Sequence, residues 1–240
     1  MPPALPLDRI DTVFLDAGNT LVSIDFDRVA PAIAARGIAC TPAGLRRAEA
    51  RARPQISASI HERGRSEGED AFAAYLGFVL GHLGVSEGAE ALAGALSGEL
   101  KEPGASDRLW CWVLPGTEAA LGRLRALDLD LLVVSNSDGT VEQGLAALGL
   151  ARFFSGIVDS HRVGSEKPAA GIFEAALERA GAAPERTLHV GDLYHADVLG
   201  ARACGIHQAL LDPWDDWGPI DCPTFADLDA LATAFEETRS

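Results

Sequence analysis

Beyond residue 112 the sequence alternates short, β-rich apolar runs with segments of helical periodicity, and this alternation strongly constrains the fold. The apolar runs cover residues 130–135, 156–159, 187–190 and 208–211. Apolar residues at helical spacing occupy residues 117–127, 141–148, 168–180, 197–204 and 225–237. An alternation of this kind favours a parallel sheet with helices on both faces.

A further apolar run, at Thr12–Leu15, delivers Asp16 to a turn-like sequence near the N-terminus. Helical spacing then predominates, with helices predicted at residues 42–52, 68–83 and 86–100. We therefore predict an α/β fold in which residues 1–22 and 113–240 form the parallel-sheet core. Residues 23–112 form an inserted α-helical cap, which emerges at the ligand-binding end of the sheet and covers Asp16 as a lid.

The charge balance limits the partners of the chain. Twenty basic residues against 35 acidic ones give a net charge of -15, which repels nucleic acid. No apolar run reaches membrane-spanning length, and the N-terminus lacks the pattern of a signal peptide. The four cysteines are widely spaced, as is typical of reduced thiols. We expect a cytoplasmic protein that binds a small molecule, and the sequence does not indicate an oligomeric state.

Polar side chains follow the predicted strands at four places in the chain. They are Asp16, the pair Ser135 and Asn136, Lys167, and the pair Asp192 and Asp197. Each is commonplace alone, since an Asp after a strand is usually a cap or turn residue. Together, carboxylates can hold Mg²⁺, a hydroxyl and an amide can donate to phosphate oxygens, and a lysine can balance the charge. The combination suits phosphoryl transfer through an aspartyl phosphate.

These residues fall in four motifs by which the sequence resembles the haloacid dehalogenase-like (HAD) hydrolase superfamily over residues 12–205. In chain order the motifs read FLDAGNTL, LLVVSNSDG, SEKPAAGIFEAAL and HVGDLYHAD. The resemblance implies a Rossmann-like core with a helical cap inserted after the first motif. The expected activity is a Mg²⁺-dependent phosphatase of a small phosphorylated metabolite.

The resemblance also implies a role for each motif residue. Asp16 is the expected nucleophile, and Lys167 is the expected catalytic lysine. The expected phosphate-binding residues are Asn19, Thr20, Ser135 and Asn136. The expected Mg²⁺ ligands are Asp16, the backbone carbonyl of Gly18, Asp192 and Asp197.

One position departs from the pattern of the phosphatases in this superfamily. They usually have a second Asp two residues after the nucleophile, which protonates the leaving group and then activates water. Here that position is Gly18, which keeps the metal-binding carbonyl and lacks the acid–base group. Such a group typically contributes about 10²–10⁴-fold in rate. His161 and His195 are candidate replacements because histidine titrates near neutral pH.

Three alternatives stay open beside the phosphatase. A 2-haloacid dehalogenase also lacks the second Asp, but its relatives need no metal and call for a cap arginine, for which Arg28 is the candidate. A phosphonate hydrolase needs a cap lysine, and Lys101 lies in what looks like a solvated turn. A non-catalytic HAD-like protein that binds a ligand or a partner would explain the missing acid–base group directly.

Other cap and rim residues have structural interpretations. The polar run at residues 61–65 is predicted to be a solvated turn. Trp110 and Trp112 are predicted to pack where the cap returns to the core. Trp214 and Trp217 are expected to anchor a loop at the rim of the core.

Overall fold

The structure is a computed structural model that describes residues 4–63, 69–100 and 109–239. Six strands form the main sheet: β1 (Thr12–Leu15), β4 (Asp130–Ser135), β5 (Gly156–Asp159), β6 (Thr187–Gly191), β7 (His207–Leu211) and β8 (Thr224–Phe225). They lie in the order β5-β4-β1-β6-β7-β8, and each neighbouring pair is parallel. The predicted α/β fold with a Rossmann-like parallel sheet is confirmed.

Helices cover both faces of this sheet. They are α5 (Thr117–Ala126), α6 (Val141–Ala147), α7 (Ser160–Val163), α8 (Ala170–Ala180), α9 (Gly200–Ala203) and α10 (Leu228–Arg239). Successive strand residues face opposite sides, so Val13 and Leu15 join the cluster that includes α5 and α10. Phe14 joins the cluster on the other face, which includes residues of α8. The sheet is therefore buried on both sides.

Two elements of the core differ from the prediction. Strand β8 was not predicted, and the last helix begins at Leu228 because Asp227 caps it, accepting a hydrogen bond from the Ala230 amide at 2.8 Å. The helix predicted at residues 197–204 begins earlier, as a π-helical turn over Tyr194–Leu199 that continues into α9. That wider turn contains Asp197.

Between β1 and β4 the chain forms a separate set of helices with its own apolar cluster. They are α1 (Phe26–Ala34), α2 (Pro42–Arg63), α3 (Glu69–His82) and α4 (Ala89–Leu100). Two short strands, β2 (Val22–Ser23) and β3 (Trp112–Val113), pair antiparallel where the chain leaves and rejoins the core. The chain therefore crosses between the two parts at adjacent points. The domain division at residues 22/23 and 112/113 stays a prediction.

Helix α2 is much longer than predicted. It continues through Pro54 because apolar side chains on one face, including Ile56 and Ile60, pack into the apolar cluster formed by α1 to α4, here called the cap cluster. The burial of these side chains outweighs the cost of a proline inside a helix. His61 consequently lies in the last turn of a helix, and the predicted solvated turn is wrong there. Gly64, Arg65 and Lys101 lie outside the described residues. Within the described ranges no helix is both long and apolar enough to cross a bilayer.

Candidate active site

The carboxyl ends of three adjacent strands bring the predicted residues together. Asp16 directly follows β1, Ser135 ends β4, and Asp192 directly follows β6. Because β1 lies between β4 and β6 in a parallel sheet, these three side chains share one edge. Lys167 reaches the same place from the loop between α7 and α8, and all four residues are buried.

Lys167 joins two of the carboxylates. Its Nζ donates to Asp16 Oδ1 at 2.6 Å and to Asp197 Oδ1 at 2.7 Å. Burial opposes the charge of the lysine, but the two carboxylates outweigh it and raise the Lys167 pKa. The ammonium group is therefore permanently charged at neutral pH, and it is held against the predicted nucleophile.

Three neighbours hold the Asp197 carboxylate in place: Lys167, His189 and the Leu193 backbone N–H. Besides Lys167, its Oδ1 lies 2.9 Å from His189 Nε2, and its Oδ2 accepts the Leu193 backbone N–H at 2.9 Å. Burial would raise the Asp197 pKa, but Lys167 and His189 lower it. A Cβ at Gly191 would lie 2.1 Å from Asp197 Cγ, so only glycine leaves room for this carboxylate. Asp197 positions Lys167.

His189 was missed in the sequence analysis. It lies in the middle of the apolar strand β6, is fully buried, and has a pKa lowered chiefly by that burial. A neutral imidazole can still donate from Nε2 to Asp197. A histidine within a buried strand, at the first position of the motif HVGDLYHAD, is the sequence pattern that could have indicated it.

Asp16 and Asp192 carry negative charge that the protein only partly compensates. Burial raises the pKa of Asp16 to about 6 although Lys167 lowers it, and burial likewise raises the Asp192 pKa well above its ordinary value. Asp192 Oδ2 is buried and accepts no hydrogen bond from the described residues. Among the described residues of the site, the buried carboxylates of Asp16, Glu49, Asp192 and Asp197 face the buried cations of Lys167 and Arg53.

This donor set fits a divalent cation. No group of three His, Cys, Asp or Glu side chains in the described ranges is arranged to hold a metal. Mg²⁺, however, is usually bound by one or two carboxylates with waters and substrate phosphate. Asp16, the Gly18 carbonyl and the Oδ2 of Asp192, which accepts no hydrogen bond from the described residues, match that preference. Asp197 was predicted as a ligand too, but both of its oxygens are already engaged, which favours a supporting role.

The predicted phosphate-binding residues are placed differently from one another. Ser135 lines the cavity above the sheet, and its hydroxyl donates only a long bond, 3.3 Å, to the Asn136 carbonyl. The Asn136 side-chain amide makes two hydrogen bonds to the backbone of Lys167. Its Nδ2 donates to the Lys167 carbonyl at 2.9 Å, and its Oδ1 accepts the Lys167 backbone N–H at 2.7 Å. Asn19 also lines the cavity, whereas Thr20 is buried away from it, with no hydrogen bond to its Oγ1 from the described residues.

The Trp110 indole occupies the space beside Gly18, where the sequence predicts that an acid–base group is missing. A Cβ at Gly18 would lie 3.1 Å from Trp110 Cζ3. The indole packs against the apolar clusters of both the core and the cap, in keeping with its predicted packing role. The cavity lining within the described residues includes neither His161 nor His195, and the His195 Nδ1 lies 3.0 Å from Ser57 Oγ in α2.

The cap contributes a buried ion pair that the sequence analysis missed. Arg53 Nη2 donates to Glu49 Oε2 at 2.8 Å, and Arg53 Nε lies 3.4 Å from Asp192 Oδ2. Glu49 Oε1 in turn accepts a hydrogen bond from Asn19 Nδ2 at 2.9 Å. The i,i+4 spacing of Glu49 and Arg53 marks a helical pair, but nothing in the sequence showed that it faces the core.

Cap and core enclose a cavity of about 250 Å³ over these residues. Its floor includes Asp16, Gly18, Lys167 and Asp192. Its upper wall is largely apolar, with side chains from α2, α3 and the segment that returns to the core: Ile56, Ile60, Phe72, Tyr75, Leu109 and Trp110. A charged floor beneath an apolar wall can bind a molecule with one anionic end.

A Rossmann-like sheet with buried carboxylates and a buried lysine at its carboxyl edge, under a helical cap, defines a hydrolase with a Rossmann-like core and an inserted cap. The chain belongs to the haloacid dehalogenase-like hydrolase family, whose sequence pattern matches residues 10–205.

Individual relatives agree with this assignment. The chain is 42% identical over 99 residues to haloacid dehalogenase-like hydrolase domain-containing protein 3 of Mus musculus. The matched segment covers 41% of this chain and 39% of that protein. It is 40% identical over 100 residues to glyceraldehyde 3-phosphate phosphatase of Methanothermobacter thermautotrophicus, covering 41% and 44% of the two chains. The matched part therefore spans about two-fifths of the length of these curated relatives.

A solved structure shares the fold over nearly the whole chain. It is the putative HAD-hydrolase YfnB from Bacillus subtilis bound to magnesium, with a TM-score of 0.64 and 22% sequence identity. The superposition covers 95% of this chain and 99% of that one. At this identity the likeness concerns the fold.

Proposed function

We propose that the protein is a Mg²⁺-dependent phosphatase of a small phosphorylated molecule, with Asp16 as the nucleophile. The observation that carries the proposal is the 2.6 Å contact between Asp16 Oδ1 and Lys167 Nζ at the floor of the cavity. A carboxylate that is to attack an anionic phosphoryl group needs a fixed positive charge beside it, since the two anions otherwise repel each other.

The proposed reaction has two displacements at phosphorus. A carboxylate oxygen of Asp16 attacks the phosphorus, the bond to the leaving-group oxygen breaks, and that oxygen takes a proton from water. A water molecule then attacks the phosphorus of the acyl phosphate. The bond to Asp16 breaks, inorganic phosphate leaves, and the carboxylate is restored, so that one water is consumed in each turnover.

Several side chains support these two steps. Lys167 balances the charge of the nucleophile and the phosphoryl group. Asp197 and Asn136 hold Lys167 in place, and His189 in turn holds Asp197. Ser135 is the hydroxyl available to donate to a phosphoryl oxygen. Asn19 links the first motif to the cap through Glu49, and the Thr20 side chain is buried next to it in the chain.

Asp16, the Gly18 carbonyl and Asp192 are the groups that would hold Mg²⁺. When bound, the ion would neutralise charge on the phosphoryl oxygens. The Oδ2 of Asp192, which accepts no hydrogen bond from the described residues, and the raised pKa values of both carboxylates support this assignment, because each indicates a place for additional positive charge.

A 2-haloacid dehalogenase is the second candidate, and Arg53 is the observation that favours it. This cap arginine is buried beside Asp192, where the sequence analysis had only Arg28 to offer. Glu49 already neutralises Arg53, however, and an Asp192 carboxylate whose Oδ2 accepts no hydrogen bond from the described residues suits a metal-dependent enzyme better. In a non-catalytic phosphate binder the same side chains would hold a ligand without turnover.

Hydrolysis of acetyl phosphate by the purified protein separates these candidates. We expect phosphate release with Mg²⁺, little with EDTA, and none from Asp16→Asn. Asp130→Asn makes the same change at the opposite end of the sheet and should retain activity. Phosphate release that persists in Asp16→Asn would overturn the proposal. Chloride release from 2-chloropropionate in EDTA would establish the dehalogenase, and ligand binding without any turnover would establish the binder.

A further inference from the structure

The wall of the cavity above Asp16 offers few free hydrogen-bonding groups to a ligand; the Tyr75 hydroxyl, which has no hydrogen-bond partner among the described residues, is one of them. Its buried polar side chain from the cap, Glu49, is engaged by Asn19 and Arg53. The Ser59 hydroxyl, also part of the lining, donates to the Ile56 carbonyl at 2.8 Å. A sugar or polyol carries several hydroxyl groups and would have to bury most of them here without partners, at a cost of roughly 1–3 kcal/mol each.

Aromatic rings form a continuous row along this wall. Phe72 and Tyr75 are stacked, with ring centroids 5.9 Å apart and an interplanar angle of 12°. Tyr75 and Trp110 follow at 6.3 Å. Trp110 lies against Gly18, so the row leads down to the position next to the nucleophile. Rings of this kind bind another ring by stacked or edge-to-face contact.

The size of the cavity suits a single ring and a phosphoryl group. A dry cavity of about 150 Å³ lined by Leu, Ile and Phe holds benzene in a well-studied protein. The cavity here, at about 250 Å³, has room for one ring with the phosphoryl group at the charged floor.

Gly18 limits the leaving group independently of the wall. Without an acid at this position, the leaving oxygen must depart with little protonation. A phenol, with a pKa of about 10, departs as its anion far more readily than an alkyl alcohol, which is about as weak an acid as water, near 15.7. Both the shape of the cavity and the chemistry at position 18 therefore select the same kind of molecule.

From the aromatic row and Gly18 together we infer that the substrates are aryl phosphates, monoesters of a phenol whose ring lies along Phe72, Tyr75 and Trp110. This inference rests on the proposed phosphatase activity. In the first displacement, Asp16 attacks the phosphorus and the P–O bond to the ring oxygen breaks. The phenolate is then protonated by water, so the atoms and charges balance without a protein acid.

Two isomeric substrates provide the sharpest test. p-Tolyl phosphate and benzyl phosphate have the same atoms and one ring each, but only the first has a phenolic leaving group. We expect kcat/KM with Mg²⁺ to be at least about 10²-fold higher for p-tolyl phosphate. Glycerol 3-phosphate, a polar alkyl phosphate, should be poorer than both. Acetyl phosphate, which needs neither ring nor acid, serves as the reference for phosphatase activity.

Variants of the wall test the ring contact separately from the leaving group. Phe72→Leu should lower the ratio of kcat/KM for p-tolyl phosphate to that for acetyl phosphate about three- to tenfold, mainly through KM. Ile60→Asn should lower this ratio too. Arg51→Ala, at an exposed position of α2, should leave the ratio unchanged. Thermal unfolding of each variant checks that it folds.

The outcomes distinguish this inference from the proposal beneath it. Turnover of acetyl phosphate that requires Asp16, without a preference for p-tolyl over benzyl phosphate, overturns the aryl inference and keeps the phosphatase. If neither Phe72→Leu nor Ile60→Asn changes the ratio of kcat/KM for p-tolyl phosphate to that for acetyl phosphate, the placement of the ring is overturned. If no phosphate ester or acetyl phosphate is hydrolysed, the proposed function itself fails.

Discussion

Gly18 and Trp110 set the chemical character of the site at the scale of single residues. The indole occupies the space beside the nucleophile loop, so that even a methyl group at position 18 would press on the ring at 3.1 Å. The lack of a side chain at position 18 and the close approach of the Trp110 indole are therefore two aspects of the same local arrangement. A carboxylic acid at position 18 should therefore require a smaller side chain at position 110.

A paired substitution tests this coupling. Gly18→Asp combined with Trp110→Leu supplies a carboxylic acid and the room for it. Its kcat for benzyl phosphate should exceed that of Trp110→Leu alone by about 10²-fold. Gly18→Asn with Trp110→Leu has the same shape without a useful proton and is the matched control. Equal rates for the Asp and Asn variants would contradict the account.

Asp16 also gives a prediction of pH dependence. Its pKa in the folded, metal-free protein is raised from 3.8 to about 6, so between these values the folded protein binds more protons than the unfolded chain. Its contribution to the free energy of unfolding therefore falls as the pH rises from 4 to above 6. Asp16→Asn lacks this titration.

The measurement is urea unfolding of both proteins in EDTA. The stability of Asp16→Asn relative to the wild type should be greater at pH 7 than at pH 4. A difference that does not change with pH, or that changes in the opposite direction, would show that Lys167 compensates the buried carboxylate fully.

The motif residues could be predicted at this scale, but their partners could not. Asp16, Ser135 and Asp192 follow recognisable strands, and parallel strands bring their ends together whatever the details of packing. His189 and Arg53 act through contacts with residues distant in the sequence, and such contacts depend on how cap and core meet. Asp197 was predicted as a metal ligand because its bonds to His189 and the Leu193 amide are not visible in the motif.

Helix α2 is the element that connects the cap with the site. It continues past Pro54, which the sequence analysis treated as beyond the helix, because one of its faces is buried in the cap cluster. The turn of the same helix just before Pro54 places Glu49 against Asn19 of the first motif and Arg53 against Asp192 of the fourth. The pair is almost fully buried, with 2% and 7% of its side-chain surfaces exposed.

Breaking this pair should be costly. Arg53→Met leaves Glu49 buried without its partner and should lower the free energy of unfolding by about 3–5 kcal/mol. Glu49→Leu combined with Arg53→Met removes both charges and should recover much of that loss. Arg51→Met, at an exposed site two residues away, is the control. Urea unfolding measures these three variants and Glu49→Leu alone, and a double variant that loses as much stability as Glu49→Leu and Arg53→Met together would contradict this interpretation.

On the scale of the whole molecule, the parallel sheet gathers buried charges of mostly one sign at one edge. The chain as a whole is acidic, with a net charge of -15, and the site follows the same tendency. The order of strands and helices made the α/β fold predictable. The wall of the cavity was not predictable, since it depends on the packing of cap helices whose register the periodicity alone does not fix.

Mg²⁺ should therefore stabilise the folded protein. Adding Mg²⁺ at about 100 times its dissociation constant should raise the free energy of unfolding by about 2.7 kcal/mol. Asp192→Asn should abolish this gain, and Asp130→Asn should retain it. A thermal shift that is the same in all three proteins would mean that the ion binds elsewhere.

The central claim is that Asp16 carries the phosphoryl group, and mass spectrometry of the acid-quenched protein tests it most directly. After mixing with acetyl phosphate and Mg²⁺, we predict one added phosphoryl group on the tryptic peptide of residues 10–28, located at Asp16 by fragmentation. The adduct should be absent from Asp16→Asn and should disappear as turnover proceeds. Turnover with a phosphoryl group on another residue would contradict the account.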